Sequence, residues 1–372
     1  MAIIVVPALI TLEVLKEAGE KGIENVVCLA AGFKESGEEG KKLEEELLEI
    51  AEKYNINLIG PNCLGFVNNL CPINATFGEL VDIPGNLRFI SQSGAIATGI
   101  FDWCKSINLG FSEFITLGNK TVINENNVLQ YFLDHPNNQN QIGGLSQFSP
   151  IGLYLESISN GINFLKITKE ISQTNPIFII KPGKTKAAVS AMQSHTGAIA
   201  GEDAIFNEAV AETGVLRCKT LEDFFDLAKA FSLENVPSGP KIAVISNAGG
   251  PAVISADAVV ENGLELLEFD EKTKSQLEKV LPRSASIKNP IDVLGDALAN
   301  RFAKASEIIL QAGQVDSLLV ILTPQVMTQI KETAQNLGVL SKKYQKPIFC
   351  AFLGGSLVYE GEKILNELKI PV

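Results

Sequence analysis

Histidine is almost missing from this chain: His135 and His195 are the only two in 372 residues. The six cysteines, Cys28, Cys63, Cys71, Cys104, Cys218 and Cys350, form no C-x-x-C pair. A structural zinc site needs closely spaced Cys and His ligands, so no metal is expected on this chain. Scattered cysteines also argue against a disulfide framework and read as the reduced thiols of a cytoplasmic protein. No run reaches the ~18 apolar residues of a membrane helix. The opening MAIIVVPALI lacks the cationic start of a signal peptide. Basic residues are in deficit, 31 Lys+Arg against 43 Asp+Glu, and form no stripe. Nucleic acid is therefore not an expected partner, although a local positive site can still receive an anion.

Short apolar runs are plentiful. AIIVV, NVVCLA, INLIG, LRFIS, FSEFITL, IGLYLE, PIFIIK, KIAVIS, LELLEF, SLLVIL and PIFCAFLGG read as strands. Amphipathic stretches such as GKKLEEELLEIAEKY and TLEDFFDLAKAFS lie between most of them. Apolar strands alternating with helices predict βαβ units and parallel sheets covered on both faces. The turn-rich DIPGN at 82–86 and the polar ENVPSGPK at 234–241 divide the chain into 1–85, 86–236 and 237–372. The second and third pieces start alike. FISQSGAIATGIFDWC and VISNAGGPAVISADAV align Ser91 with Ser246, Gln92 with Asn247 and Gly94 with Gly249. They read as a duplicated flavodoxin-like unit, or as the Gly-bearing turn any doubly wound domain has.

Several motifs fall at predicted strand ends. SQSGA, 91–95, joins a strand to a helix, where free N–H groups and the helix dipole can hold phosphate. An ordinary N-capped helix has the same signature. GPNCLG, 60–65, turns the chain after INLI; Cys63 reads as a nucleophile or, with no histidine nearby in sequence, a buried small side chain. Glu156 ends the strand IGLYLE, either solvated or placed to orient a histidine. GNK at 118–120 ends another strand. In KPGKTK, Lys184 and Lys186 face an anion or simply water. His135, in FLDHPNN, reads as an exposed helix end. His195 differs, because small residues surround it in KTKAAVSAMQSHTGAIAGEDAIFNEA. Such a loop leaves an imidazole accessible as a nucleophile toward an acyl phosphate or another phosphoryl donor.

Taken together, these motifs resemble the NDP-forming acyl-CoA synthetases, the family of ADP-forming acetate–CoA ligase and of the succinyl-CoA synthetase α subunit. SHTGAIAG at 194–201 is similar to the family's phosphohistidine loop, SQSGA to its phosphate turn, and GPNCLG to the signature closing its CoA-binding domain. SNAGGP at 246–251 and KNPIDVLGDA at 288–297 are similar to a third domain of the acetate–CoA type. The resemblance covers nearly the whole chain. It implies an α/β fold: a Rossmann-like CoA-binding domain over 1–85, a succinyl-CoA-ligase-like domain with the phosphohistidine loop over 86–236, and a second ligase-CoA-like domain over 237–372. The last two are expected to be flavodoxin-like, doubly wound parallel sheets.

The resemblance also assigns roles. His195 is the phosphorylated nucleophile and Glu156 orients its imidazole. Ser91, Ser93, Gly94, Thr196 and Gly197 hold phosphate. Val6, Pro7, Ala8, Ala30, Ala31, Gly32 and Asn62 contact coenzyme A. The implied activity converts acyl-CoA, acetyl-CoA foremost, and phosphate into acyl phosphate and CoA. The phosphoryl group then passes through phosphohistidine to Mg-ADP on an ATP-grasp β subunit or domain, in an oligomer. Two departures stand out. The family's first Gly-rich βα unit is not seen before AIIVV, and no ATP-grasp domain follows, so the first domain is expected to be incomplete and the chain inactive alone. After GNK the family has Ala-Asp-Val-Asp, where this chain has Thr121, Val122, Ile123 and Asn124. The rival readings are a regulatory CoA-binding module, against which the intact SHTGA weighs, and an inactive gene fragment.

Overall fold

A computed structural model describes residues 1–78, 83–136, 148–196, 203–233 and 236–372; the side chains of 193–196 lie outside this description. The chain forms two compact units, Met1–Ser232 and Leu233–Val372.

The first unit begins with β1 (Ala2–Ile4), α1 (Ala8–Glu20), β2 (Asn25–Cys28), α2 (Glu38–Lys53) and β3 (Asn57–Ile59). These strands pair in parallel in the order β1-β2-β3. Thr11, Leu15 and Ala18 recur at helical spacing on α1, and Leu47 and Ala51 on α2. They bury against Ile4, Val26, Cys28 and Leu58 of the strands. That apolar stripe, rather than helix propensity, gives helices of this length their stability.

The same unit continues with β4 (Gly65–Asn68), β5 (Ile73–Thr76), β6 (Pro84–Ser91), α3 (Gly94–Ser106), β7 (Phe111–Thr116), α4 (Glu125–Asp134) and β8 (Ile151–Tyr154). It ends with α5 (Gly161–Ile171), β9 (Ile177–Ile180), α6 (Lys186–Thr196), α7 (Asp203–Ala211), β10 (Leu216–Arg217) and α8 (Leu221–Leu233). The second sheet has the order β10-β9-β8-β6-β7-β4-β5. Its five strands β6 to β10 are parallel and doubly wound, as expected. An antiparallel hairpin, β4–β5, is added to this parallel sheet. It pairs antiparallel with β7, so residues 65–76 extend this sheet although the sequence placed them in the first domain. One face of the sheet packs Phe164, Ile167 and Ile171 of α5. On the sheet, Phe89 lies 5.1 Å from Phe114, and Phe178 lies 4.9 Å from Phe224 of α8. Gly152 makes room there, since a Cβ would lie 2.8 Å from Phe224.

The second unit holds β11 (Lys241–Ser246), α9 (Gly249–Glu261), β12 (Glu265–Leu266), α10 (Glu271–Val280), β13 (Ile291–Asp292) and α11 (Ala299–Gln311). β14 (Ser317–Leu322), α12 (Ile330–Tyr344), β15 (Ile348–Phe352) and α13 (Tyr359–Glu367) complete it. The order is β12-β11-β14-β15, with β13 on β11. Counted from the strand before each Ser turn, β6–β10 run second, first, third, fourth, fifth, and β11–β15 run second, first, fourth, fifth, with the third strand, β13, also on β11.

Gly118 follows β7 with φ +57, and a Cβ there would lie 2.2 Å from the Pro61 carbonyl oxygen and 2.4 Å from that of Asn62. Both obstacles are backbone and cannot rotate away. Gly118→Ala is expected to lower the stability of this unit by about 2–4 kcal/mol. The only tryptophan, Trp103, stacks on Phe225 in the same unit, so its emission during urea unfolding reports the change. An unchanged midpoint would contradict the close approach.

Candidate functional site

Turns at the carboxyl ends of the first two sheets carry most of the candidate residues, where open α/β sheets bind ligands. At the first sheet, Gly32 (φ +107) sits against α1, with a Cβ placed there 3.1 Å from the Ala8 Cβ. Thr11 Oγ1 donates to the carbonyls of Val6 and Pro7, each at 3.2 Å. The Asn62 N–H donates to the Ala30 carbonyl at 2.8 Å. Val6, Pro7, Ala8, Ala30, Ala31, Gly32 and Asn62 are thus brought together around one helix start. Pro7 caps α1 without a side-chain hydrogen bond. Glu35 was not anticipated. Its Oε1 accepts from the Gly32 N–H at 2.6 Å and the Phe33 N–H at 3.1 Å, and Oε2 accepts from Asn119 at 2.7 Å. Burial opposes its charge, but these hydrogen bonds hold its carboxyl below the usual range.

The SQSGA turn is built from its own side chains. Ser91 is buried; its hydroxyl donates to the Ser93 carbonyl at 2.7 Å and accepts from the Ser93 N–H at 3.1 Å. Its hydroxyl thus shapes the turn on which the other candidate phosphate ligands stand. Ser93 caps α3, its Oγ accepting from the Ile96 N–H at 3.4 Å. Gly94 opens the helix with nothing but Leu64 near its missing Cβ. The second unit repeats this construction: the Ser246 hydroxyl donates to the Ala248 carbonyl at 2.8 Å and accepts the Ala248 N–H at 3.1 Å. Gln92 Oε1 accepts the Glu156 N–H at 3.0 Å, and Asn247 Oδ1 accepts the Thr323 N–H at 2.8 Å. Strand register makes Glu156 and Thr323 equivalent, because Ser91 pairs with Tyr154 and Ser246 with Ile321. Only the first of the two turns therefore has a carboxylate at this place.

Glu156 is 8% exposed, and its Oε2 has no hydrogen-bond partner among the described residues. A buried carboxylate oxygen without a donor is costly unless a partner arrives. His195 lies in the last turn of α6, the helix that follows β9, which is the strand next to β8 in the same sheet. Its side chain, that of Thr196 and all of Gly197 lie outside the described residues. Lys184 and Lys186 are exposed. Lys181, which the sequence did not flag, is 4% exposed and has no hydrogen-bond partner for Nζ among the described residues. Burial pulls its ammonium below the ordinary lysine value. It lies 5.3 Å from the Phe206 ring, which also receives Arg217, the ion-pair partner of Asp203. A cleft of about 330 Å³ lined by Lys181, Thr185, Cys218 and Thr220 flanks the entry to α6. A larger, apolar cavity of about 380 Å³, lined by Val27, Ile59, Phe66 and Tyr131, holds none of the candidate residues.

The remaining sequence candidates resolve plainly. Cys63 is buried, donates to the Cys28 carbonyl at 3.3 Å, and burial pushes its thiol up to about 12. His135 is exposed at the end of α4, stacked on Tyr131. Asn124 caps α4, accepting the Asn126 N–H at 2.9 Å, a task that Asn and Asp perform alike. Thr121 donates to Glu44 at 2.6 Å. The described residues contain no helix long and apolar enough to cross a membrane.

Comparison with known proteins fits this layout. A CoA binding domain matches residues 1–69, a succinyl-CoA ligase like flavodoxin domain 84–231, and a ligase-CoA domain 242–372. The α subunit of acetate–CoA ligase [ADP-forming] II from Pyrococcus furiosus is 35% identical over 375 residues, covering 100% of this chain and 79% of that protein. The chain belongs to the ADP-forming acetate–CoA ligase family. Acetate–CoA ligase [ADP-forming] I from Archaeoglobus fulgidus is 36% identical over 371 residues. This chain spans 52% of the length of that relative. An acetyl-coenzyme A synthetase 1 from Ca. Korarchaeum cryptofilum, solved with phosphate and ADP, superposes with TM-score 0.91 at 33% identity, over 99% of this chain and 78% of that one.

Proposed function

We propose that this chain is the α-type part of an ADP-forming acyl-CoA synthetase, with acetyl-CoA the foremost acyl-CoA. Phosphate attacks the thioester carbonyl, the CoA thiolate leaves and takes up a proton, and acyl phosphate forms. An imidazole nitrogen of His195 then attacks the phosphorus and the carboxylate departs. Mg-ADP on an ATP-grasp partner accepts the phosphoryl group, in an oligomer. Val6, Pro7, Ala8, Ala30, Ala31, Gly32 and Asn62 hold CoA. Ser91, Ser93, Gly94, Thr196 and Gly197 hold phosphate, and Ser91 also shapes the turn. A phosphoryl group in transfer is stabilised mainly by fixed donors and dipoles, which the start of α3 offers.

The observation that supports this reading most is Glu156. Its buried oxygen, without a hydrogen-bond partner among the described residues, lies beside the phosphate turn, just past the end of β8, the strand next to the one that precedes α6 and His195. An imidazole that loses a proton or takes up a phosphoryl group is oriented by such an acceptor. The test is to incubate the chain with acetyl-CoA and radiolabelled phosphate and follow label on the protein. Label that is acid-labile and base-stable is expected; none on the chain, with or without an ATP-grasp partner, would refute the reading.

A further inference from the structure

Lys120 lies in the GNK loop with φ +58, a left-handed conformation unusual for lysine, and is nearly as buried as its ion-pair partner Glu125. Its Nζ reaches two elements at once: Glu125 Oε2 at 2.8 Å and the Ser157 carbonyl at 2.7 Å. Glu125 in turn accepts the Ser159 N–H at 2.5 Å and the Ser159 hydroxyl at 3.2 Å. From the other side, Gln92 Oε1 accepts the N–H groups of Glu156 and Ser157 at 3.0 and 3.2 Å. The segment Glu156–Ser159 is therefore gripped by the phosphate turn, by the GNK loop and by α4. Oε2 of Glu156 has no hydrogen bond among the described residues, so the backbone that carries the side chain decides where it points.

We propose that Lys120 is a positioning residue for phosphoryl transfer: by clamping the Ser157 carbonyl to Glu125 it fixes the chain on which Glu156 stands, and so the place where that carboxylate meets His195. This rests on the roles given to Glu156 and His195 above. Lys120 touches no reacting atom. Its loop neighbours Asn119 and Thr121 donate to Glu44 of α2 at 2.8 and 2.6 Å, so the same loop ties this segment to the sheet bearing the CoA candidates.

The intact chain is treated with radiolabelled acetyl phosphate, and the rate of acid-labile labelling is measured for Lys120→Met, Lys120→Arg, Glu156→Gln and the double variant Lys120→Met/Glu156→Gln. Displacement of a catalytic group by about an ångström can cost ~10²-fold, so Lys120→Met should label about 10- to 100-fold more slowly. Lys120→Arg should recover most of the rate. The double variant should be no slower than Glu156→Gln alone, because both changes remove one function. A merely structural role would not give that coupling. Since Lys120→Met strands a buried carboxylate, the charge-neutral pair Lys120→Met/Glu125→Gln serves as the second variant and should be slow with an unchanged circular dichroism spectrum. The proposal is overturned if Lys120→Met or Lys120→Met/Glu125→Gln labels at the wild-type rate while Glu156→Gln is slow. It is also overturned if the double variant shows the full product of the two single effects. Wild-type labelling of Glu156→Gln, or no labelling of the wild type, would instead remove the reading of Glu156 and this proposal with it.

Discussion

Replacing His195 with alanine is expected to abolish acid-labile phosphate on the chain, by at least ~10³-fold relative to the unsubstituted protein. The size follows from what else could take the phosphoryl group. His135, the other histidine, donates its backbone N–H to the Tyr131 carbonyl at the end of α4, and its ring stacks on Tyr131. It belongs to a helix end and to none of the turns that gather the candidate residues, so His135→Ala should label normally. The two thiols close to the candidate turns, Cys28 and Cys63, are poor substitutes. Burial pushes Cys28 up to about 11 and Cys63 up to about 12. A thiol with a pKa of about 12 is ionised to only ~10⁻⁵ at neutral pH, and the thiolate is the nucleophile. Having only two histidines makes the experiment clean, since each single variant leaves one candidate. Equal labelling of the His195→Ala chain would sink the phosphohistidine mechanism.

The parts of the fold that could be read from sequence are those where local pattern and tertiary role agree. IFII, SLLVIL and IFCAF are nearly continuous apolar runs because their strands are covered on both faces. The hairpin β4–β5 escaped because GFVN and INAT mix polar and apolar residues, as an edge with one open face allows. LELLEF shrank to Glu265–Leu266, where only two residues pair with β11. The candidate site divides similarly. Gly32 and Asn62 could be found because left-handed backbone leaves Gly and Asn signatures, and Gly94 because it opens a helix directly after a strand. Lys120, Lys181 and Glu35 could not. Their meaning lies in partners far along the chain, such as Glu35 with Asn119, and nothing local distinguishes them from solvated charges. The same distance in sequence hid Gln92, whose bond to the Glu156 backbone crosses from one strand end to the next.

A larger hidden charge pair underlies the sheet that carries the site, and Arg88→Met is expected to cost about 3–5 kcal/mol of stability. Arg88 stands opposite Glu113 across β6 and β7, with Nε 2.8 Å from Oε2 and the two side chains 3% and 2% exposed. Its guanidinium also donates to the carbonyls of Phe132 at 3.0 Å and His135 at 2.6 Å, satisfying the end of α4, and lies 4.4 Å from the Phe132 ring. Burial draws the guanidinium below its ordinary value, and Glu113 opposes that shift. Removing the arginine leaves a carboxylate in the interior and two helix-end carbonyls without donors, which is the expensive way to break a buried pair. Removing both charges with Arg88→Met/Glu113→Gln should recover part of the loss. Because the chain has two units, global unfolding need not be two-state, and Trp103 in the first unit is the appropriate probe. Its emission in urea should shift to a clearly lower midpoint for Arg88→Met and to an intermediate one for the double variant. A single variant within about 1 kcal/mol of the parent would mean that water reaches this pair and relieves it as it does an exposed one. A double variant less stable than Arg88→Met would mean that the carbonyl contacts, rather than the stranded carboxylate, set the loss.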